Sequence, residues 1–171
     1  MRATELVHFL NTYLAHVTVP IKAAGGVIDK FIGDGVMAIF SPVFGLQNHA
    51  EAAVRASLGM RAAVAEFNRV GGFEPVAFGV GLHRGQVIAG KVGTEDRHEY
   101  TVLGDVVNVA SRIESQTKET DTDILLSAEV LAGLDPAQFP AVTFMHCGPV
   151  LLRGKTNAIE LYRPVETVPE I

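Results

Sequence analysis

Four short stretches carry the side chains whose types and spacing could do chemistry. Asp34 lies in Ile32-Gly33-Asp34-Gly35, between two strand-like runs, and an Asp-Gly pair in that setting signals a hairpin. A carboxylate at a tight hairpin tip meets little competing bulk, and oxygen donors are what Mg2+ or Mn2+ takes. The plainer alternative is a turn aspartate preceding glycine. Lys30 stands four positions earlier, on the strand leading into the hairpin, where a lone lysine is ordinarily solvated. Asn108 and Arg112 are also four apart, in a stretch with helical periodicity, so both project from one helix face. A guanidinium there can stabilise charge developing on a phosphate, the alternative being a polar helix face. Arg153 and Lys155 flank Gly154 in a C-terminal turn, either as an anion contact or as solvated charges.

The elements that must position these groups follow from periodicity. Residues 4–19 carry Leu6, Phe9, Leu10, Tyr13, Leu14 and Val17, the stripe of an amphipathic helix. Residues 27–31 and 36–40 are strand-like. Asn48 followed by Glu51 predicts an N-cap with a returning carboxylate, opening an alanine-rich helix that runs to about residue 68. Residues 75–90 read as a strand and 99–103 as another. A helix is expected over 106–118 with Val109, Ala110 and Ile113 inward, and Asp105 as its N-cap. A strand at 124–126, a short helix at 128–134, and strands at 142–146, 150–153 and 159–163 complete an α+β sandwich. There is no internal repeat or linker, so residues 1–171 are expected to form a single domain.

Composition bounds the function. With 171 residues the chain can bury one core, and 48% hydrophobic with 19% charged residues is the profile of a globular protein. A net charge of −5 without a basic run argues against a nucleic-acid partner. One cysteine, Cys147, makes no internal disulfide, and it reads as a small, partly buried strand residue suited to a reducing compartment. No eighteen-residue apolar stretch occurs, which predicts no direct membrane contact from this segment. The spacing of the six histidines supports no metal site.

Residues 26–40 (GVIDKFIGDGVMAIF) and 100–114 (YTVLGDVVNVASRIE) together resemble the two signature blocks of class III adenylyl and guanylyl cyclase catalytic domains. The intervening 79–90 (GVGLHRGQVIAG) resembles that family's glycine-rich strand and turn, and Arg97 stands where the family has an arginine ahead of Tyr-Thr. The resemblance extends from about Arg2 to Arg163. It implies the cyclase fold, a sandwich built on a ferredoxin-like βαββαβ core. It implies conversion of ATP to 3′,5′-cyclic AMP and pyrophosphate in intracellular signal transduction, with a two-ion Mg2+ or Mn2+ site. It also implies a homodimer whose active sites draw carboxylates from one copy and base, Asn and Arg contacts from the other.

Residue by residue, the resemblance makes Asp34 a metal ligand, Asn108 the group that positions the ribose, and Arg112 the transition-state arginine. Lys30 and Thr101 become the base readers. An ammonium donates to N1 of adenine and a hydroxyl accepts from its amine, whereas guanine presents an N1–H that a lysine would confront with another donor. That pair favours ATP. Arg153 stands where the family usually has a triphosphate-contacting lysine, and His83 is expected to be structural.

The family also begins with a strand carrying a first metal-binding aspartate, ahead of the helix at 4–19. None of Asp29, Asp96, Asp105, Asp121, Asp123 or Asp135 occupies that context, so the expected domain lacks its first strand and has one carboxylate where two are implied. A truncated chain, a start at an internal methionine and a natural remnant remain open, and little activity is expected from residues 1–171 alone. The alternative functions are a cyclase-like regulatory or dimerisation module without turnover, a guanylate cyclase, or a polymerase-palm-like nucleotide binder, the last disfavoured by the Asn108 and Arg112 helix. The expected location is cytoplasmic, alone or as part of a larger membrane-anchored protein.

Overall fold

The computed structural model describes residues 2–94, 96 and 98–167, and the chain divides into two compact units, residues 1–78 and 79–171.

In the first unit, helix α1 (Ala3–Ala23) packs on helix α2 (His49–Val70). The apolar stripe of α1 buries Val17 and Ile21. Phe9 and Tyr13 meet Phe67 and Phe73 in a ring cluster, where Phe67 and Phe73 stack at 5.6 Å between centroids. Helix α1 runs past the expected end and through Pro20. A proline interrupts the backbone ladder, but here packing outweighs that loss. Thr18 and Ile21 are buried around it, and a Cβ at Gly59 of α2 would lie 2.7 Å from the Pro20 ring. The expected cap on α2 also differs. Asn48 holds the N-cap position but makes no side-chain cap bond, because its φ/ψ of −99°/55° departs from the extended conformation that aims a cap at the first amides. Two hydrogen bonds of 2.9 Å join the Asn68 side chain to the backbone of Val76 and close the unit.

Strands β1 (Val27–Ile32) and β2 (Gly35–Ile39) form the expected antiparallel hairpin. The central turn residues are Gly33 and Asp34, one position earlier than the Asp-Gly signal suggests. Gly33 carries the positive φ of 63°, which suits glycine in the first place of a two-residue turn.

In the second unit, strands β3 (Val80–Leu82), β6 (Ile124–Ser127), β8 (Ile159–Glu166) and β7 (Val142–Val150) lie side by side in that order. The β3–β6 pair is parallel and the others antiparallel. Strands β4 (Ile88–Gly93) and β5 (His98–Leu103) form a separate hairpin. Helix α3 (Asp105–Glu119) covers β3 and β6, and a short helix α4 (Ala128–Leu131) follows β6. Val109, Ile113, Leu125, Leu152 and Leu161 make the core, each at most 1% exposed. The mixed α+β class agrees with expectation.

Two strand boundaries do not. The single strand expected over 75–90 is two, because pairing with β6 runs only from Val80 to Leu82 and pairing with β5 starts at Ile88. The strands expected at 142–146 and 150–153 are one, bent by a register shift between His146 and Gly148, while Leu152 turns into the core. No described helix is long and apolar enough to cross a membrane.

The seat of α3 is unusually close. A Cβ on Gly81 would fall 2.2 Å from the Glu114 amide nitrogen and 2.3 Å from the Ala110 carbonyl oxygen. Both are backbone atoms, so the helix itself must move to admit a methyl group. Gly81→Ala is therefore expected to destabilise by roughly 1–3 kcal/mol or more, as overpacking does. Gly90→Ala, where a Cβ meets nothing within 4 Å, should change stability by only a few tenths. Urea midpoints of the two variants check this, and equal midpoints would contradict the seating.

Candidate functional site

The first unit offers Lys30 and Asp34 from one hairpin. Asp34 is exposed at the turn. It acts electrostatically on Tyr13, whose hydroxyl is pushed above its usual pKa chiefly by burial and further by the Asp34 charge. Lys30 is not simply solvated. Its side chain is 35% exposed and its ammonium lies 3.6 Å from the Asp29 carboxylate, which is 4% exposed. Successive strand residues normally face opposite ways. Here the register slips from Ile28 opposite Ala38 to Lys30 opposite Met37, so Asp29 is the extra residue of a bulge. That slip lets neighbours pair.

The implied metal can be tested against these donors. Among the described residues no three His, Cys, Asp or Glu side chains converge on one point. Asp34 presents a single exposed carboxylate. Mg2+ commonly accepts one or two protein carboxylates and takes its remaining ligands from water and substrate phosphates. Asp34 fits as one ligand of an ion that arrives with phosphate.

The second unit holds the other candidates. Helix α3 turns Val109 and Ile113 into the core, which leaves Asn108 exposed and Arg112 half-buried on its other side. The Arg112 guanidinium lies against Gly154, where a Cβ would sit 3.6–3.9 Å from its atoms. Gly154 has φ 76°, a left-handed turn conformation natural to glycine. Arg153 beside it is exposed. Thr101 is buried on β5, opposite Gly90. Arg97 lies outside the described residues.

Asp105 is not the helix cap expected of it. Gly104, with φ 153°, takes the N-cap position, and Asp105 is the first helical residue. Its carboxylate accepts a hydrogen bond from the Lys155 ammonium, fifty residues away in sequence. That bond holds the Asp105 pKa below the usual range, and the charges of Lys155 and Arg112 act in the same direction. His83 bonds through Nδ1 to the Ser127 hydroxyl at 2.8 Å, as a structural histidine should. Burial pushes its pKa below 6.5. Its 3.7 Å approach to Glu129 is therefore not an ion pair at neutral pH.

The structure thus gathers Arg112, Arg153, Gly154, Lys155 and Asp105 in one unit, and Lys30, Asp29 and Asp34 on one hairpin of the other. Sequence reasoning missed Asp105–Lys155, which no local spacing encodes. It missed Asp29 because strict strand alternation separates it from Lys30.

Residues 1–163 match the family described as the adenylate and guanylate cyclase catalytic domain, and the chain belongs to that family. The adenylate cyclase of Anabaena cylindrica is 37% identical over 169 residues, covering 95% of this chain and 32% of that protein. The terminal-differentiation-specific adenylate cyclase of Dictyostelium discoideum is 38% identical over 168 residues, covering 97% of this chain and 8% of that protein. The crystal structure of the guanylyl cyclase Cya2 superposes with a TM-score of 0.85 at 29% identity, covering 99% of this chain and 84% of that one. The chain therefore spans a third or less of those two curated relatives.

Proposed function

We propose that residues 1–171 belong to a single cytoplasmic adenylate cyclase catalytic domain, which in the full-length protein converts ATP to 3′,5′-cyclic AMP and pyrophosphate in intracellular signalling. The observation that carries this reading is the meeting of Arg112, one turn beyond Asn108 on α3, with the Arg153–Gly154–Lys155 turn. A phosphate-binding cluster thereby stands beside a group able to hold a ribose. The ribose 3′-oxygen forms a bond to the α-phosphorus and gives up its proton to water, and the bond from that phosphorus to the bridging oxygen of pyrophosphate breaks. Asn108 orients the ribose for this in-line attack. Arg153 binds the triphosphate. Arg112 stabilises the negative charge that grows on the phosphoryl oxygens as the bond breaks. Asp34 would hold a divalent cation, which when bound would supply Lewis-acid stabilisation of the phosphates.

The relatives include proteins named for adenylate and for guanylyl activity on one fold, so base choice must rest on particular side chains. Lys30 donates to adenine N1 and Thr101 accepts from the exocyclic amine. The ion pair with Asp29 holds the lysine in place, and the burial of Thr101 makes its unmet hydrogen bonds costly for the wrong base. A second copy of the chain supplies the complementary half of each site, with the Asp34 half from one protomer and the Asn108 and Arg112 half from the other.

In the full-length protein, wild type should form cyclic AMP from ATP with Mn2+. Lys30→Glu with Thr101→Cys should shift the ratio of kcat/KM toward GTP by roughly two orders of magnitude, the scale of a mismatched buried hydrogen-bond pattern. An unchanged ratio would remove Lys30 from the base pocket, and no cyclic nucleotide from either substrate would sink the cyclase reading. Mixing Asp34→Ala with Asn108→Ala protein should restore part of the activity that each alone lacks. Heterodimers that form and stay inactive would place the whole site in one chain.

A further inference from the structure

We infer that Asp105 and Lys155 are positioning residues, a latch in which Lys155 occupies Asp105 and so leaves the Arg112 guanidinium available to the triphosphate. The inference rests on the cyclase reading and deepens it.

The segment between β7 and β8 is fixed at three successive points. Leu152 is buried in the core at 1% exposure. Gly154 lies under the Arg112 guanidinium. Lys155 donates its backbone amide to the Leu152 carbonyl at 2.9 Å and its ammonium to Asp105. Arg153 sits between two of these anchors, so its backbone has little freedom although its side chain is exposed. The turn therefore presents Arg153 beside Arg112 without an ion pair to either guanidinium among the described residues.

Charge makes the arrangement consequential. Three cations, Arg112, Arg153 and Lys155, share this corner. Asp105, the first residue of α3, bonds to Lys155 and precedes Arg112 by two helical turns on the same helix face, and the charges of both cations act on it. An unoccupied aspartate at that place would attract Arg112, and a guanidinium–carboxylate pair is among the stronger charge-assisted contacts. It would then compete with the phosphate that the arginine is meant to bind. Lys155 removes the competition by taking Asp105 itself. The same bond ties the turn to the first residue of α3, on the helix that carries Arg112.

This division of labour predicts a sign that simple loss of a surface ion pair does not. Lys155→Ala frees Asp105 to capture Arg112, so it should weaken phosphate binding. Adding Asp105→Asn removes the captor, so the double variant should recover. An ion pair with only a structural role would leave the double variant no better than the single one. Interacting sites of this kind show couplings equivalent to between a few-fold and about a hundredfold in an equilibrium constant.

The test uses the full-length protein and reads binding rather than turnover, by titration calorimetry with ATP and Mn2+ and with tripolyphosphate. Lys155→Ala should weaken both ligands by roughly tenfold. Asp105→Asn/Lys155→Ala should return to within about threefold of wild type, with thermal midpoints of the variants matching. Lys155→Met, which keeps the aliphatic stem, replaces Lys155→Ala if that variant fails to fold. Wild-type affinity in the single variant, or a double variant as weak as the single, overturns the latch while leaving the cyclase reading standing. Failure of the wild type to bind ATP overturns both.

Discussion

Helix α3 rests on the backbone of β3 with no side chain between them at Gly81, and the second unit depends on that contact. Its amide and carbonyl groups at Glu114 and Ala110 stand where any β-carbon on residue 81 would be. Gly79 repeats the device beside Thr117, and Gly85 does so beneath Val106. Three glycines thus act on successive turns of one helix. They fix its height above the sheet and its rotation about its own axis. With Val109 and Ile113 committed to the core, the helical period leaves Asn108 and Arg112 on the remaining surface. The placement of the two candidate catalytic residues is a consequence of packing.

The charges are then arranged around that helix rather than built into it. The Arg112 guanidinium rests against Gly154, whose left-handed φ turns the chain sharply enough to bring Lys155 back to Asp105. Each contact is individually modest. Asp105 is largely exposed, and an exposed ion pair contributes little to stability. Its importance lies in which cation the carboxylate holds. In the first unit the β1 bulge does comparable work, since it brings a buried carboxylate next to Lys30 where regular pleating would part them.

Much of this was legible in the sequence, and the reasons are specific. The β1–β2 hairpin announced itself through Asp-Gly between apolar runs, and α3 through apolar residues at four-residue spacing after a glycine. Asp34, Asn108 and Arg112 were named because they fall within ordered blocks that resemble one family, and the match over residues 1–163 shows that family. What was not legible depends on contacts between distant segments. The helix expected over 4–19 continues through Pro20, because Gly59 receives the proline ring. The glycines of 79–85 looked like strand residues, and Gly81 is one, but together they are also the floor of a helix. Asp105 looked like a cap because Asp after Gly before an apolar run is a local cap signal. Its partner lies fifty residues away, and no periodicity reports it. The Asp29 bulge is a register event, invisible without the opposing strand.

The most direct test of the account is steady-state kinetics of Arg112→Ala and Arg112→Lys in the full-length protein, with ATP and Mn2+. If α3 delivers Arg112 to the triphosphate and to the charge that develops in the transition state, Arg112→Ala should lower kcat by roughly a hundredfold or more, with a KM rise of about tenfold at most. Arg112→Lys should recover only part of that loss, because an ammonium lacks the planar pair of donors. An unchanged kcat in Arg112→Ala, with wild-type stability, would return this arginine to the solvated face of the helix and contradict the account.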